Sequence, residues 1–150
     1  MRSMFSRSIV LSLLMLPAMS MAQEANGTTA AATAAPAANA LIAAAPQDKG
    51  QIVFFREPKF VGAAVGFKVR EGEAELGKLR NGRYFVVTAE PGKHEYNMHG
   101  ETKDVLTLEI EPGETYYVQA SIGMGLVAGR PNLAPSDEAT FLSKKLKIAD

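Results

Sequence analysis

Leu106, Leu108 and Ile110 alternate with Thr107, Glu109 and Glu111, and after a Pro-Gly pair Tyr116, Val118, Ala120 and Ile122 alternate with Thr115, Gln119 and Ser121. A period of two belongs to a β-strand, whose successive side chains face opposite sides of a sheet; a helix cannot use it. Each large aliphatic group buried this way contributes about 1.5–3 kcal/mol, so a few such strands hold together a domain of about 100 residues. Tyr117 keeps the outer face of the second run partly apolar.

Gln51–Arg56 and Tyr84–Ala89 are short continuous apolar runs rich in β-branched and aromatic residues, which suits strands covered on both faces. Ala64–Arg70, Ala74–Leu79, Lys93–Met98 and Met124–Gly129 supply further strands, and Asn81-Gly82 is a turn signal. The chain writes Glu-Pro-Gly twice, in TAEPGKHEY (88–96) and EIEPGETYY (109–117). Pro91-Gly92 and Pro112-Gly113 fit the two central positions of a type II turn, where proline presets φ and glycine accepts a positive value. Because each pair lies between strand-like runs, two hairpin turns are expected rather than a repeated ligand motif. The fold class that follows is mainly β, an antiparallel β-sandwich of about seven to eight short strands. A short helix over 137–146 ends the pattern, with Ser136 as its cap, Asp137 and Glu138 at its start, lysines 144, 145 and 147 near its end, and Phe141 and Leu142 against the sheet.

The first residues set the compartment. Arg2 and Arg7, the apolar stretch Ile9–Met19 and the small residues of Ser20-Met21-Ala22 form a secretory signal peptide over 1–22, with cleavage expected after Ala22. The apolar part is shorter than the ~20 residues a membrane helix needs, which weighs against the alternative of a retained anchor. Residues 23–47 are dominated by Ala, interrupted by Gly27, Pro36 and threonines, and read as a flexible tether with room for a short helix around Ala37–Ala45. The sandwich then occupies 48–135, and helix and tail 136–150. With no cysteine, the chain has no disulfide, no thiol nucleophile and no N-terminal Cys for a lipoprotein anchor, so its fold rests on its core. Without residues 1–22 it carries fourteen basic against sixteen acidic groups, which gives no electrostatic reason to expect nucleic acid or an anionic membrane as partner.

The stretch EAELGKLRNGRYFVVTAEPGKHEYNM (73–98) contains Gly-x-Leu, then Asn-Gly-x-Tyr, then Pro-Gly-x-His. It resembles a bacterial envelope family classed as a domain of unknown function, from Lys49 to about Pro135, including GQIVFFR and GRPNLAPS. More distantly it is similar to PEGA-type and carboxypeptidase-regulatory-like β-sandwiches. The resemblance implies a sandwich and an exported location, and brings no catalytic residues with it.

The residues that carry chemistry are sparse. His94 shares a strand face with Tyr96 and Met98, and His99-Gly100 reads as an exposed hairpin tip. A metal reading gathers His94, His99, Met98 and Met124 for copper, but a strand sets the two histidines on opposite faces. Glu71, Glu73 and Glu75 are paired-carboxylate candidates, yet Gly72 and the flanking Arg70 and Lys78 favour a solvated turn. Ser121 and Ser136 lack a nucleophile-elbow setting. The Gly-rich stretch 121–132 does not match a phosphate-binding spacing. It reads instead as a strand along which another backbone approaches, such as the small-residue run 62–66, ended by a turn at Arg130-Pro131-Asn132. Arg130 and Asn132 are the binding candidates, as donors at the rim of an apolar patch. No catalytic residue and no cofactor is expected. The function expected is non-enzymatic recognition of an envelope protein or cell-wall glycan in the periplasm or outside the cell. A small-molecule or metal carrier is the alternative, and a hydrolase is third.

Overall fold

A computed structural model describes residues 41–127 and 129–150; residues 1–22, read as a signal peptide, and residues 23–40, read as part of a tether, lie outside the described residues. The strands are β1 (Gly50–Phe55), β2 (Phe67–Glu71), β3 (Ala74–Leu79), β4 (Arg83–Ala89), β5 (Gly92–His99), β6 (Lys103–Ile110), β7 (Thr115–Gly123), β8 (Arg130–Ser136) and β9 (Lys147–Ile148), with one helix, α1 (Glu138–Ser143). They form a five-stranded sheet in the order β8-β7-β1-β4-β9 and a four-stranded sheet in the order β3-β2-β5-β6. The mainly β sandwich is therefore present, with one departure from a purely antiparallel arrangement. β1 pairs with β7, and β4 with β9, in parallel.

The inner faces of the two sheets meet in a core. Ile52, Phe54, Val118, Ala120 and Leu133 from the five-stranded sheet pack against Val69, Leu79, Tyr96, Met98 and Ile110 from the other. The alternation of β6 and β7 is realised as read: Leu106, Leu108 and Ile110 face this core, as do Tyr116, Val118, Ala120 and Ile122. Phe54 stacks on Phe85 with centroids 5.4 Å apart and meets Tyr96 edge-on at 5.2 Å. Such aromatic pairs add about 0.5–1.5 kcal/mol to their area burial.

A second, smaller cluster lies on the outer face of the five-stranded sheet. Val53, Phe55 and Tyr84 are covered there by Phe141 of α1 and by Ile42, with Tyr117 and Leu146 packed alongside. All six residues of β1 are consequently buried, as its unbroken apolar run implies. Ile42 belongs to the segment read as a tether, so that segment's last residues join the fold. Residues 41–45 are not helical, and Gln51 Nε2 donates to Ala43 O at 2.9 Å.

Several expectations are corrected. Pro91-Gly92 and Pro112-Gly113 are not hairpin turns. β4 and β7 belong to one sheet and β5 and β6 to the other, so both pairs are corners at which the chain changes sheets. Gly113 has the φ of 78° that a type II turn requires, whereas Gly92, at 128°, does not and already begins β5. Asn81-Gly82 is also an inter-sheet turn, closed by Arg83 N donating to Arg80 O at 3.2 Å. Hairpins occur instead at Gly72-Glu73, inside the glutamate run, and at 100–102 and 124–129.

Residues 64–66 are loop, because the loop carbonyls of Gly62 and Val65 are taken by the Arg56 guanidinium. Residues 124–127 and 129 are loop as well, and Arg130-Pro131-Asn132 is the start of β8 rather than a turn. Its two prolines are tolerated because β8 is an outer strand, where missing donors cost no ladder bond. The helix is shorter than expected. Ser136 is held in β8 opposite Tyr117, so Asp137 caps α1, accepting from Thr140 N at 2.7 Å. The helix stops before the lysines, and Leu142 is exposed while Phe141 is buried. Among the described residues no helix is long and apolar enough to cross a membrane.

Two substitutions test this packing by urea denaturation. Phe141→Ala removes the ring that covers Phe55, Tyr84 and Tyr117 and should cost about 3–5 kcal/mol. Tyr96 Oη is buried without a hydrogen-bond partner among the described residues. Tyr96→Phe should therefore leave stability unchanged or raise it by about 1 kcal/mol; a loss of that size would reveal a partner.

Candidate functional site

The sandwich has two dissimilar ends. At the corner end, Gly50 of β1 pairs with Ala89, Gln51 with Thr115, and Gly92 with Ile110, which brings the two Glu-Pro-Gly corners side by side. Gly113 N donates to Lys49 O at 3.0 Å and Gln51 N to Glu114 O at 2.9 Å. Lys49 Nζ pairs with the Glu90 carboxylate. Glu111 N donates to Tyr116 Oη at 2.9 Å. A Cβ at Gly50 would fall 2.2 Å from Ile110 Cγ2, so that position needs glycine for the sheets to close.

His94 lies near this end. Its Nδ1 is 2.5 Å from Glu71 Oε1 and its Nε2 is 2.8 Å from Glu90 O. Both ring nitrogens face acceptors, and only the imidazolium can donate from both. The hydrogen bond to Glu71 accordingly raises the His94 pKa above its ordinary 6.5, against the opposing effect of partial burial, with the Glu90 carbonyl and the charges of Glu71 and Glu109 adding to it. His99 is at the other end of β5, roughly 17 Å away at the strand rise. Met98 is buried in the core and Met124 exposed, so the proposed metal ligands are not brought together. Among the described residues no three His, Cys, Asp or Glu side chains form a metal-holding group. Glu75 is paired with Lys68 at 2.6 Å, and Glu73 sits in the hairpin turn.

At the loop end, 56–66, 80–82, 100–102 and 124–129 converge. Arg56 is buried, and its guanidinium donates to Val65 O at 2.5 Å and Gly62 O at 2.6 Å, with no carboxylate partner among the described residues. Burial lowers its pKa from the usual guanidinium value. The 124–129 loop is held to the β5–β6 tip: Glu101 N donates to Gly129 O at 3.1 Å, and Val127 N donates to the Glu101 carboxylate. The close backbone approach is made by the β5–β6 tip instead of the 62–66 run, since a Cβ at Gly100 would sit 2.7 Å from Gly129 O. Ile122 joins the two larger loops, lying against both Gly62 and Gly129.

These tethered loops carry the five most exposed large apolar side chains among the described residues: Phe60 (99%), Leu126 (96%), Val127 (93%), Met124 (85%) and Val61 (65%). Arg130 and Asn132 are exposed on β8 opposite Gly123 and Ser121, so the binding candidates stand on a strand at the margin of this apolar group. Motif reading missed Phe60, Val61 and Leu126, whose only signal is apolar residues within Gly- and Pro-flanked loops. Beside β7 the cavity lined by Arg56, Val61 and Ser121 measures about 10 Å³, room for about one water. A shallow cavity of about 110 Å³ lies between Lys78, Arg80, Arg83 and Asp150.

The family model described as a protein of unknown function (DUF2846) matches residues 46–131, from just before β1 to the second residue of β8. The chain is a member of the DUF2846 family. No characterised protein and no solved structure matches it. The matched region holds the Gly-x-Leu, Asn-Gly-x-Tyr and Pro-Gly-x-His residues and ends inside GRPNLAPS, at Pro131, and several of these residues have a structural task in this DUF2846 protein. Gly77 gives space to the Phe85 ring, which a Cβ would approach to 2.9 Å. Asn81 Oδ1 accepts from Lys59 N, and Tyr84 lies buried against Phe141. The Pro-Gly-x-His histidine ties its own corner to the β2–β3 hairpin.

That tie is testable by pH. A raised histidine pKa gives stability that is complete below the unfolded value of about 6.5 and is lost as pH rises through the folded one. Unfolding free energy should thus fall as pH rises from about 6.5 through the raised folded-state value, and His94→Gln should flatten that slope. An equal slope in the variant would remove His94 as its cause.

Proposed function

We propose that this DUF2846 chain is an exported, non-enzymatic recognition domain of a bacterial envelope, binding another envelope protein along a sheet edge. The observation that carries the reading is β6. It is eight residues long, pairs with β5 along one side, and forms an outer strand of the four-stranded sheet. An outer strand presents unpaired backbone donors and acceptors to which a partner strand can add. The opposite sheet is less accessible: β8 carries Pro131 and Pro135, and β9 covers the first residues of β4. Leu133 N donates to Asp104 Oδ2 at 2.6 Å, tying β8 to the second residue of β6. Export is supported by the N-terminal charge and apolar pattern and by the envelope resemblance. A non-enzymatic role is supported by the way His94, Glu71 and Glu75 are engaged in structural bonds. A cell-wall glycan is the other partner class that fits an exported surface.

The test is in-cell crosslinking with the tagged full chain, compared with a variant carrying Val105→Glu and Thr107→Lys on the exposed face of β6. One dominant envelope protein, captured by the parent and lost in the variant at an unchanged unfolding midpoint, is the expected result. Equal capture by both, or no enriched protein, contradicts the edge reading.

A further inference from the structure

The loop end differs from the β6 edge in both chemistry and position. Its apolar side chains are single residues at the tips of two loops. Phe60 and Val61 stand on one tip, Met124, Leu126 and Val127 on the other, and Ile122 fills the space between the loops. Both tips are pre-ordered: Arg56 clamps the first through two carbonyls, and Glu101 holds the second through Val127 N and Gly129 O. Holding such side chains fully in water is unfavourable and calls for an apolar medium that receives them.

The charge around the tips is one-sided. Lys59, Arg80, Lys103 and Arg130 lie on the loop-end segments with buried Arg56, against Glu57 and Glu101. Glu57 is already paired with Lys59 at 2.6 Å and Lys144 at 2.9 Å, and Asp104 is bonded to Leu133 N. The corner end has the opposite sign, with Glu90, Glu109, Glu111 and Glu114 against Lys49 and Lys93. A domain with a basic, apolar-tipped end and an acidic far end is oriented by a negatively charged surface.

We propose that the loop end is a membrane-docking surface. Phe60, Val61, Met124, Leu126 and Val127 enter the headgroup and acyl boundary, and Lys103 and Arg130 contact anionic lipid headgroups. Shallow insertion of apolar side chains together with basic contacts is how peripheral domains bind reversibly. The near-neutral total charge gives no such attraction; the separation of charge between the ends does. Docking this way points the acidic corners away from the bilayer and leaves the β6 edge roughly along its normal, free for a protein partner.

The absence of cysteine makes a site-specific test direct. The full chain carrying Leu126→Cys is labelled with a polarity-sensitive dye and titrated with vesicles of phosphatidylethanolamine and phosphatidylglycerol. A second preparation carries the dye at Glu114→Cys on a corner. Because the readout is local, attachment of the N-terminal apolar stretch does not register as docking of the loop end. The dye at 126 should shift to the blue while the dye at 114 stays in water. Phe60→Ser in the first preparation should weaken the apparent affinity about tenfold, and raised salt should weaken it further. No shift at 126, equal shifts at both positions, or an equal response to pure phosphatidylcholine overturns the proposal. A shift at 126 produced only by lipid-free envelope protein would assign the same patch to a protein partner and likewise overturn it.

Discussion

Burial of β1 on both faces is the constraint on which the rest of the structure depends. Gly50–Phe55 has β4 on one side and β7 on the other, so its backbone groups are paired and no face is left for water. Ile52 and Phe54 supply the centre of the main core, while Val53 and Phe55 require a second cover. Phe141 and Ile42 provide it, so the helix and the chain ahead of β1 complete the strand's burial. The same strand delivers Arg56 to the loop end and positions Gly50 against Ile110 at the corners.

Much of the fold was legible in local pattern. The alternation of β6 and β7 gave both their existence and their inward faces, and the unbroken run of β1 announced cover on both sides. Topology was not legible, because a Pro-Gly pair reports that the chain turns and not whether it returns in the same sheet. The parallel pairing of β1 with β7 likewise follows from four sheet changes that leave no mark on either strand. β8 was hidden by its prolines, which forbid a central strand but suit an outer one. Ile42 was hidden because one large apolar residue in an Ala-rich run acquires significance only when a pocket stands over Val53 and Phe55.

The candidate sites divide along the same line. Residues with recognisable spacing, Gly77, Asn81-Gly82 and Pro-Gly-x-His, fasten the scaffold, and a pattern made of scaffold residues is silent about ligands. His94 illustrates this: the residue type suggests a metal, but its two bonds to Glu71 and Glu90 commit both nitrogens. Arg130 and Asn132 were singled out as donors at an expected apolar rim; they lie on β8 opposite Gly123 and Ser121, on a strand instead of a turn. Phe60 and Leu126 were not identified, since exposure is set by the tertiary arrangement of two loops distant in sequence.

Stability centres on β1, and native-state amide hydrogen exchange followed residue by residue tests this most directly. The amides of Ile52–Phe55 should exchange only through global unfolding, more slowly than those of outer strand β3 and two-residue β9. Exchange in β1 as fast as in β3 or β9 would contradict the account, because a strand covered on both faces and paired on both sides cannot open before the edges that surround it.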